Sequence, residues 1–280
     1  MPCPRDSLES LKARIAGIER ACAGETGGEP AELARTGHAG IDAALGGGLM
    51  RARLHEIFAA EADDAGCATG FTAALALRLG VHLGGTLVWL REGEAEKRGG
   101  QLHAPGLVEI GLSPAQVILG TLPDALAVLR AAADVTRCGD VGVAVVELWR
   151  DPRALDLTAS RRLALAAEAS GVTVIALRIA ATPSPSAAQT RWQVGAAPSL
   201  PMEANAPGYP AWKIELLRQR GRPAGGAWRV EWNREQACLA EALPVGSAGT
   251  GGAAALSGAV LPLSAGRPAR AAALGFRRAG

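Results

Sequence analysis

The chain has 280 residues, of which 49% are hydrophobic and 20% charged, enough for one α/β domain with some surplus and too apolar to be disordered throughout. Its 29 basic and 27 acidic residues leave a net charge of +2, which excludes a nucleic-acid coat or membrane-surface protein held by overall charge, so any basic site must be local. Five cysteines, Cys3, Cys22, Cys67, Cys138 and Cys238, form no C-x-x-C pair; no zinc site or disulfide framework is written here, and reduced thiols in the cytoplasm are expected.

In chain order, Asp6 and Glu9 make a D-x-x-E capping box around Leu8, Leu11, Ile15 and Ile18. Their 3-4-3 apolar spacing predicts an amphipathic helix over residues 7–22, whose stripe docks either on the chain's own core or on a partner. Residues 24–30 break it with Gly and Pro. Residues 37–49 read as a short helix ending in glycine, followed by a strand over 54–58 and a helix over 69–83. Arg78, His82 and Gly84-Gly85 interrupt that apolar run, and neither a signal peptide nor a membrane span is expected.

Alternation follows: strand 86–90, a polar Gly-rich connection, strand 116–119, helix 123–136, strand 142–148, helix 158–170 and strand 172–177. Continuously apolar strands separated by amphipathic helices predict an α/β fold, a mostly parallel sheet covered on both faces with right-handed crossovers. After the proline-bearing stretch 182–188 come short strands at 190–194, 211–217 and 227–232. The last two are joined by 218–226, too short for a crossover, which predicts an antiparallel C-terminal hairpin on the sheet edge. The expected organisation is therefore a helix and linker over 1–29, an α/β core over 30–238 and a tail over 239–280. From residue 241 onward half the residues are Ala or Gly, with one acid and four arginines, a composition predicted to stay disordered until a partner binds.

A nucleotide-binding sheet wraps phosphates with the loop after its first strand, as G-x-x-x-x-G-K-[ST]. Here residues 59–70 read Ala-Ala-Glu-Ala-Asp-Asp-Ala-Gly-Cys-Ala-Thr-Gly. The lysine is absent, and Glu61, Asp63 and Asp64 stand where a polyphosphate needs positive potential. None of the three lysines, Lys12, Lys97 and Lys213, follows a glycine, so a conventional P-loop is excluded. Gly66, Thr69 and Gly70 remain candidates for a vestigial anion loop at a helix N-terminus, or simply cap that helix. Glu147 ends a strand of Walker-B type with Glu for Asp and reads as a metal-facing carboxylate or as a hydrogen-bonded structural acid. His38, His55, His82 and His103 form no i, i+4 pair and no G-x-S-x-G turn exists. No catalytic residue, metal site or cofactor is assigned.

The order of these elements, with Gly37-x-x-x-Ile-Asp-x-x-Leu-Gly-Gly-Gly-Leu49 ahead of Arg53-Leu-His-Glu-Ile57, resembles the entry to the RecA-like recombinase core. Further fragments narrow the match: the lysine-less loop running into Phe71, Glu147-Leu-Trp-x-Asp-Pro152, Leu157-Thr-Ala-Ser-Arg-Arg162, Thr190-Arg-Trp192 and Trp212-x-x-Glu-Leu-Leu-Arg-x-Arg-Gly221. Over residues 30–235 the chain resembles the ImuA family, accessory factors of the inducible translesion mutasome; the division inhibitor SulA is similar to the same branch. The resemblance implies a RecA-like fold and a cytoplasmic protein of the SOS response to DNA damage, without polymerase chemistry of its own. Implied partners are a Y-family-like polymerase subunit (ImuB), a DnaE-type polymerase and RecA, with self-association left open.

Charge is densest at Lys213, Arg218, Arg220, Arg222 and Arg229, opposed by Glu215 and flanked by Trp212, Trp228 and Trp232. Guanidinium groups bind phosphates bidentately and indoles stack on unpaired bases, so this hairpin is a candidate surface for single-stranded DNA or a protein partner. Equally, the tryptophans pack the sheet edge and the arginines are solvated. Three functions stay open: a non-catalytic adaptor in mutagenic translesion synthesis, a divergent ATPase using residues 66–70 and Glu147, and a SulA-like division inhibitor.

Overall fold

The computed structural model describes residues 32–81, 84–202, 206, 208–223 and 225–242. The stripe Leu8, Leu11, Ile15 and Ile18 lies outside them, as does the tail beyond residue 242. A two-stranded ribbon of β1 (Leu33–Ala34) and β2 (Leu49–Met50) brackets α1 (Ala39–Leu45) in sequence. His38 caps α1 by accepting from the Ile41 N–H, and Asp42 accepts from the Thr36 backbone N–H and hydroxyl, both at 2.8 Å. Gly46 ends α1 at φ 76°, a left-handed conformation that glycine adopts without strain.

The main elements follow as β3 (Leu54–Ala59), α2 (Ala65–Leu79), β4 (Thr86–Glu92), α3 (Gly93–Gly99), α4 (Ala104–Ile110), β5 (Val117–Leu122), α5 (Ala125–Thr136), β6 (Val141–Trp149), α6 (Leu157–Ser170), β7 (Thr173–Ile179), β8 (Thr190–Ala196), β9 (Ala211–Gln219), β10 (Ala227–Asn233) and β11 (Cys238–Glu241). The large sheet runs β11-β10-β9-β8-β3-β7-β6-β4-β5. Strands β5 to β8 of that order pair parallel, and β8 through β11 continue antiparallel. The expected fold class is the one that forms: a mostly parallel sheet with flanking helices and an antiparallel C-terminal margin.

Three details differ. The polar connection after β4 is two helices. Helix α3, Gly-Glu-Ala-Glu-Lys-Arg-Gly, buries only Ala95, so it has no apolar period to detect; acids in its first turn and bases in its last suit the helix dipole instead. Helix α2 starts at Ala65, four residues before the expected start, because the acid-rich stretch forms a one-turn 3-10 helix at Ala62–Asp64 that runs straight into it. Finally, the antiparallel margin holds one strand more than the hairpin. Strand β11 pairs with β10, and Leu239 is buried and donates its N–H to Thr36 O at 2.9 Å, so the ordered core passes the expected boundary at residue 238.

Alternate strand positions feed two apolar layers. Ile57, Trp89, Val145, Leu177 and Trp192 point to the α2 side; Leu54, Val88, Val146, Val174 and Ala176 point to the side covered by α5 and α6. Helix α2 is almost wholly buried and rich in Ala and Gly, which lets it seat close against the sheet. Each fully buried large side chain, such as Trp89 or Phe71, contributes about 1.5–3 kcal/mol.

Candidate functional site

Where a phosphate loop would follow β3, only Ala60 and Glu61 separate the strand from the 3-10 turn. Gly66, Thr69 and Gly70 are not loop residues; they occupy the first two turns of α2, where Thr69 and Gly70 stand beyond the first four N–H groups that a helix leaves unpaired. The next residue, Phe71, stands in a Gly70-Phe71-Thr72 sequence where the motif has Gly-Lys-Ser/Thr. It is buried and meets the Trp212 ring edge-on at 5.5 Å. Glu61 and Asp63 are exposed at the N-terminal approach to α2, and Asp64 accepts from the Ala196 N–H at 3.3 Å. Three carboxylates thus take the position of favourable potential at the helix start. Burial, helped by Asp64, pushes the Cys67 thiol up to about 12, which leaves it protonated and unreactive at neutral pH.

Gly66, Thr69 and Gly70 do border a cleft of about 240 Å³, whose far wall includes Gly100, Gln101 and His103. Glu147 is not among its walls. The residue is 1% exposed, and its carboxylate accepts from the Trp89 indole at 2.8 Å, the Trp149 indole at 3.0 Å and the Arg91 guanidinium at 3.0 Å. Arg91 itself donates on to Gly100 O at 3.0 Å. Both carboxylate oxygens are engaged by strong donors, and the charge is neutralised inside the sheet. Arg91 and Trp89 were not singled out from sequence, and Trp149 only within the fragment that follows Glu147, although the signal was present: Trp89-x-Arg91 and Glu147-x-Trp149 each place two side chains on one face of adjacent strands.

In the hairpin, Lys213, Arg218, Arg220 and Arg222 are exposed, whereas the tryptophans turn inward. Trp212 is buried and donates to Cys67 O at 3.0 Å, and Trp232 is buried and donates to Ile110 O at 2.8 Å. Neither face is open to a base, so the stacking role expected for Trp212 is corrected: Trp212 of β9 packs on α2 and Trp232 of β10 on α4. Trp228 is half-buried, tilted against Trp192 at 6.2 Å. Arg229 lies across from Lys213 in the ladder, a like-charge pair, and donates to Pro198 O. Arg222 stands over Gly46, at the electronegative C-terminal end of α1.

The segment 182–188 between β7 and β8 is tied down. Thr182 Oγ1 donates to Asp151 at 2.8 Å, Arg191 reaches Ser184 O, and Ser186 Oγ donates to Glu56 at 2.9 Å. Glu56 also pairs with Arg191 at 2.8 Å, and Asp151 with Arg178 at 2.8 Å. Among the described residues no group of three or more His, Cys, Asp or Glu is placed to hold a metal ion.

No family model matches the chain. It is similar to Protein ImuA of two Caulobacter vibrioides strains, each 34% identical over 211 residues that span 70% of this chain and 82% of the relative. Among solved structures, the RadB recombinase aligns with a TM-score of 0.48 at 18% identity, over 72% of this chain and 97% of that one. With 34% identity over 211 residues that cover most of both chains, the chain belongs to the ImuA family.

Proposed function

We propose that this protein is a non-catalytic RecA-like adaptor in SOS-induced mutagenic translesion DNA synthesis. Membership of the ImuA family supports the accessory role. The observation that carries the non-catalytic part is the commitment of Glu147: a buried carboxylate that already accepts from two indoles and pairs with a guanidinium is tied into the interior of the sheet rather than offered to a magnesium-bound water. Phe71 in the core and acids at the start of α2 support the same reading. The adaptor works in the cytoplasm, binds a Y-family-like subunit of ImuB type and a DnaE-type polymerase, and contacts RecA or single-stranded DNA through the exposed cations of the hairpin. No helix among the described residues is long and apolar enough to cross a membrane.

Two experiments test this. Calorimetric titration with magnesium and ATP to millimolar concentration is expected to give no saturable binding; saturable binding would favour a divergent ATPase. Tagged co-purification from DNA-damaged cells, with partners identified by mass spectrometry, is expected to recover translesion polymerase subunits. Recovery of a tubulin-like division protein without polymerases would move the function to division inhibition of the SulA kind.

A further inference from the structure

We propose that the groove between α6 and the segment 185–188 docks an acidic peptide with an aliphatic anchor, contributed by a partner protein. The inference rests on the adaptor reading and adds the chemistry of what is held.

Helix α6 carries an outward stripe at i, i+4 and i+8: Leu157, Arg161 and Leu165. Its inward positions, Ser160, Leu163, Ala164 and Ala167, are already buried. Leu165 is 65% exposed and Leu157 38%, unusual for leucines one helical turn apart from the same cation. The facing wall is fixed in place by Ser186 Oγ on Glu56 and by the Ala187 N–H on Ser160 Oγ at 3.2 Å. The C-terminal end of β9 closes the groove with Arg218, and Arg220 follows it; the Arg220 N–H donates to Gln189 O at 2.9 Å. Together these residues enclose about 530 Å³.

Three guanidinium groups therefore surround two exposed leucines. The one carboxylate on the wall, Glu168, already pairs with Arg53 at 3.2 Å. None of Arg161, Arg218 and Arg220 has an ion-pair partner among the described residues. Carboxylates satisfy the guanidinium forks and an aliphatic side chain covers Leu157 and Leu165, the two requirements of helix-groove recognition. Nucleic acid meets only the first. No aromatic residue lines the groove, whereas sequence-tolerant binding of single strands relies on stacking. This chain's own segment 241–280, with four arginines and one acid, has the wrong charge.

The test uses the full chain, a fluorescein-labelled short peptide of alternating Asp and Leu, and labelled oligo(dT), both read by anisotropy. Saturable peptide binding is expected, weakened at least about tenfold by Leu165→Asp and likewise by Arg161→Glu with Arg218→Glu. Arg162→Glu, on the other side of α6, is expected to leave it unchanged. Absence of saturable peptide binding, or indifference to Leu165→Asp, overturns the proposal. So does oligo(dT) binding that depends on Arg161 and Arg218 but not on Leu165, with a salt slope that falls by about two units in the double variant. Co-purification from damaged cells separates this proposal from the adaptor reading. Polymerase subunits recovered with the wild-type chain and lost with Leu165→Asp support the groove; equal recovery overturns the groove and leaves the adaptor. Recovery with neither chain overturns the adaptor, while the peptide titration still decides the groove.

Discussion

Glu147 and His55 show how single buried polar residues commit this core. Glu147→Gln keeps the shape of the side chain but leaves Arg91 buried without its counter-charge, and is expected to lower unfolding free energy by about 3–5 kcal/mol in urea titrations. His55 lies between the Thr190 hydroxyl at 2.7 Å and Met50 O at 2.8 Å. The carbonyl can only accept, so Nε2 carries the proton and Nδ1 accepts from Thr190, whose oxygen in turn accepts from the Trp192 indole at 2.9 Å. Burial lowers the His55 pKa from 6.5 to about 4. Because the folded value is the depressed one, this contribution is complete above pH 6.5 and is lost as the pH falls toward 4, a total of roughly 3 kcal/mol. Stability measured across that window should fall with a slope that His55→Gln removes. Among Cys67, Cys138 and Cys238, only Cys138 is exposed, and burial raises the thiol pKa of the other two. Of these three, iodoacetamide at pH 8 should therefore modify Cys138 first, read by peptide mass spectrometry.

Elements with a strong apolar rhythm were legible; those held by other forces were not. Strand β6, Val-Gly-Val-Ala-Val-Val-Glu-Leu-Trp, and helix α6 with its Asp156 cap announce themselves locally. Helix α3 does not, because what seats it is distant in sequence: Gly99 lies against the Trp149 ring, where an added Cβ would come within 2.6 Å of the indole. Gly99→Val should thus cost about 1–3 kcal/mol by overpacking, whereas Lys97→Ala, which removes only an exposed pair with Glu94, should change the melting behaviour little. The hairpin shows the opposite limit. Its charges and its pairing were readable, but the same alternation that exposes Lys213 buries Trp212, and only the position of α2 decides which face is which.

At the scale of the molecule, β11 completes the sheet beyond the boundary expected from composition. A chain truncated after Ala242 keeps every strand of the large sheet. One truncated after Cys238 loses the buried Leu239 and its backbone bond to Thr36, and should be destabilised by about 2–5 kcal/mol in thermal or urea unfolding.

Sequence alone determined the α/β class, the parallel sheet, the absence of a P-loop lysine and the family resemblance. These follow from residue type and short-range period, which act within one element. Tertiary structure decided what Glu147 does, where Trp212 points and how α6 and 185–188 form one groove. In each case the partners lie dozens of residues apart: Arg91 beneath Glu147, Cys67 O beside Trp212, Glu56 behind Ser186. A carboxylate's role depends on which donors surround it once water is excluded, and only the packing of the sheet brings those donors together.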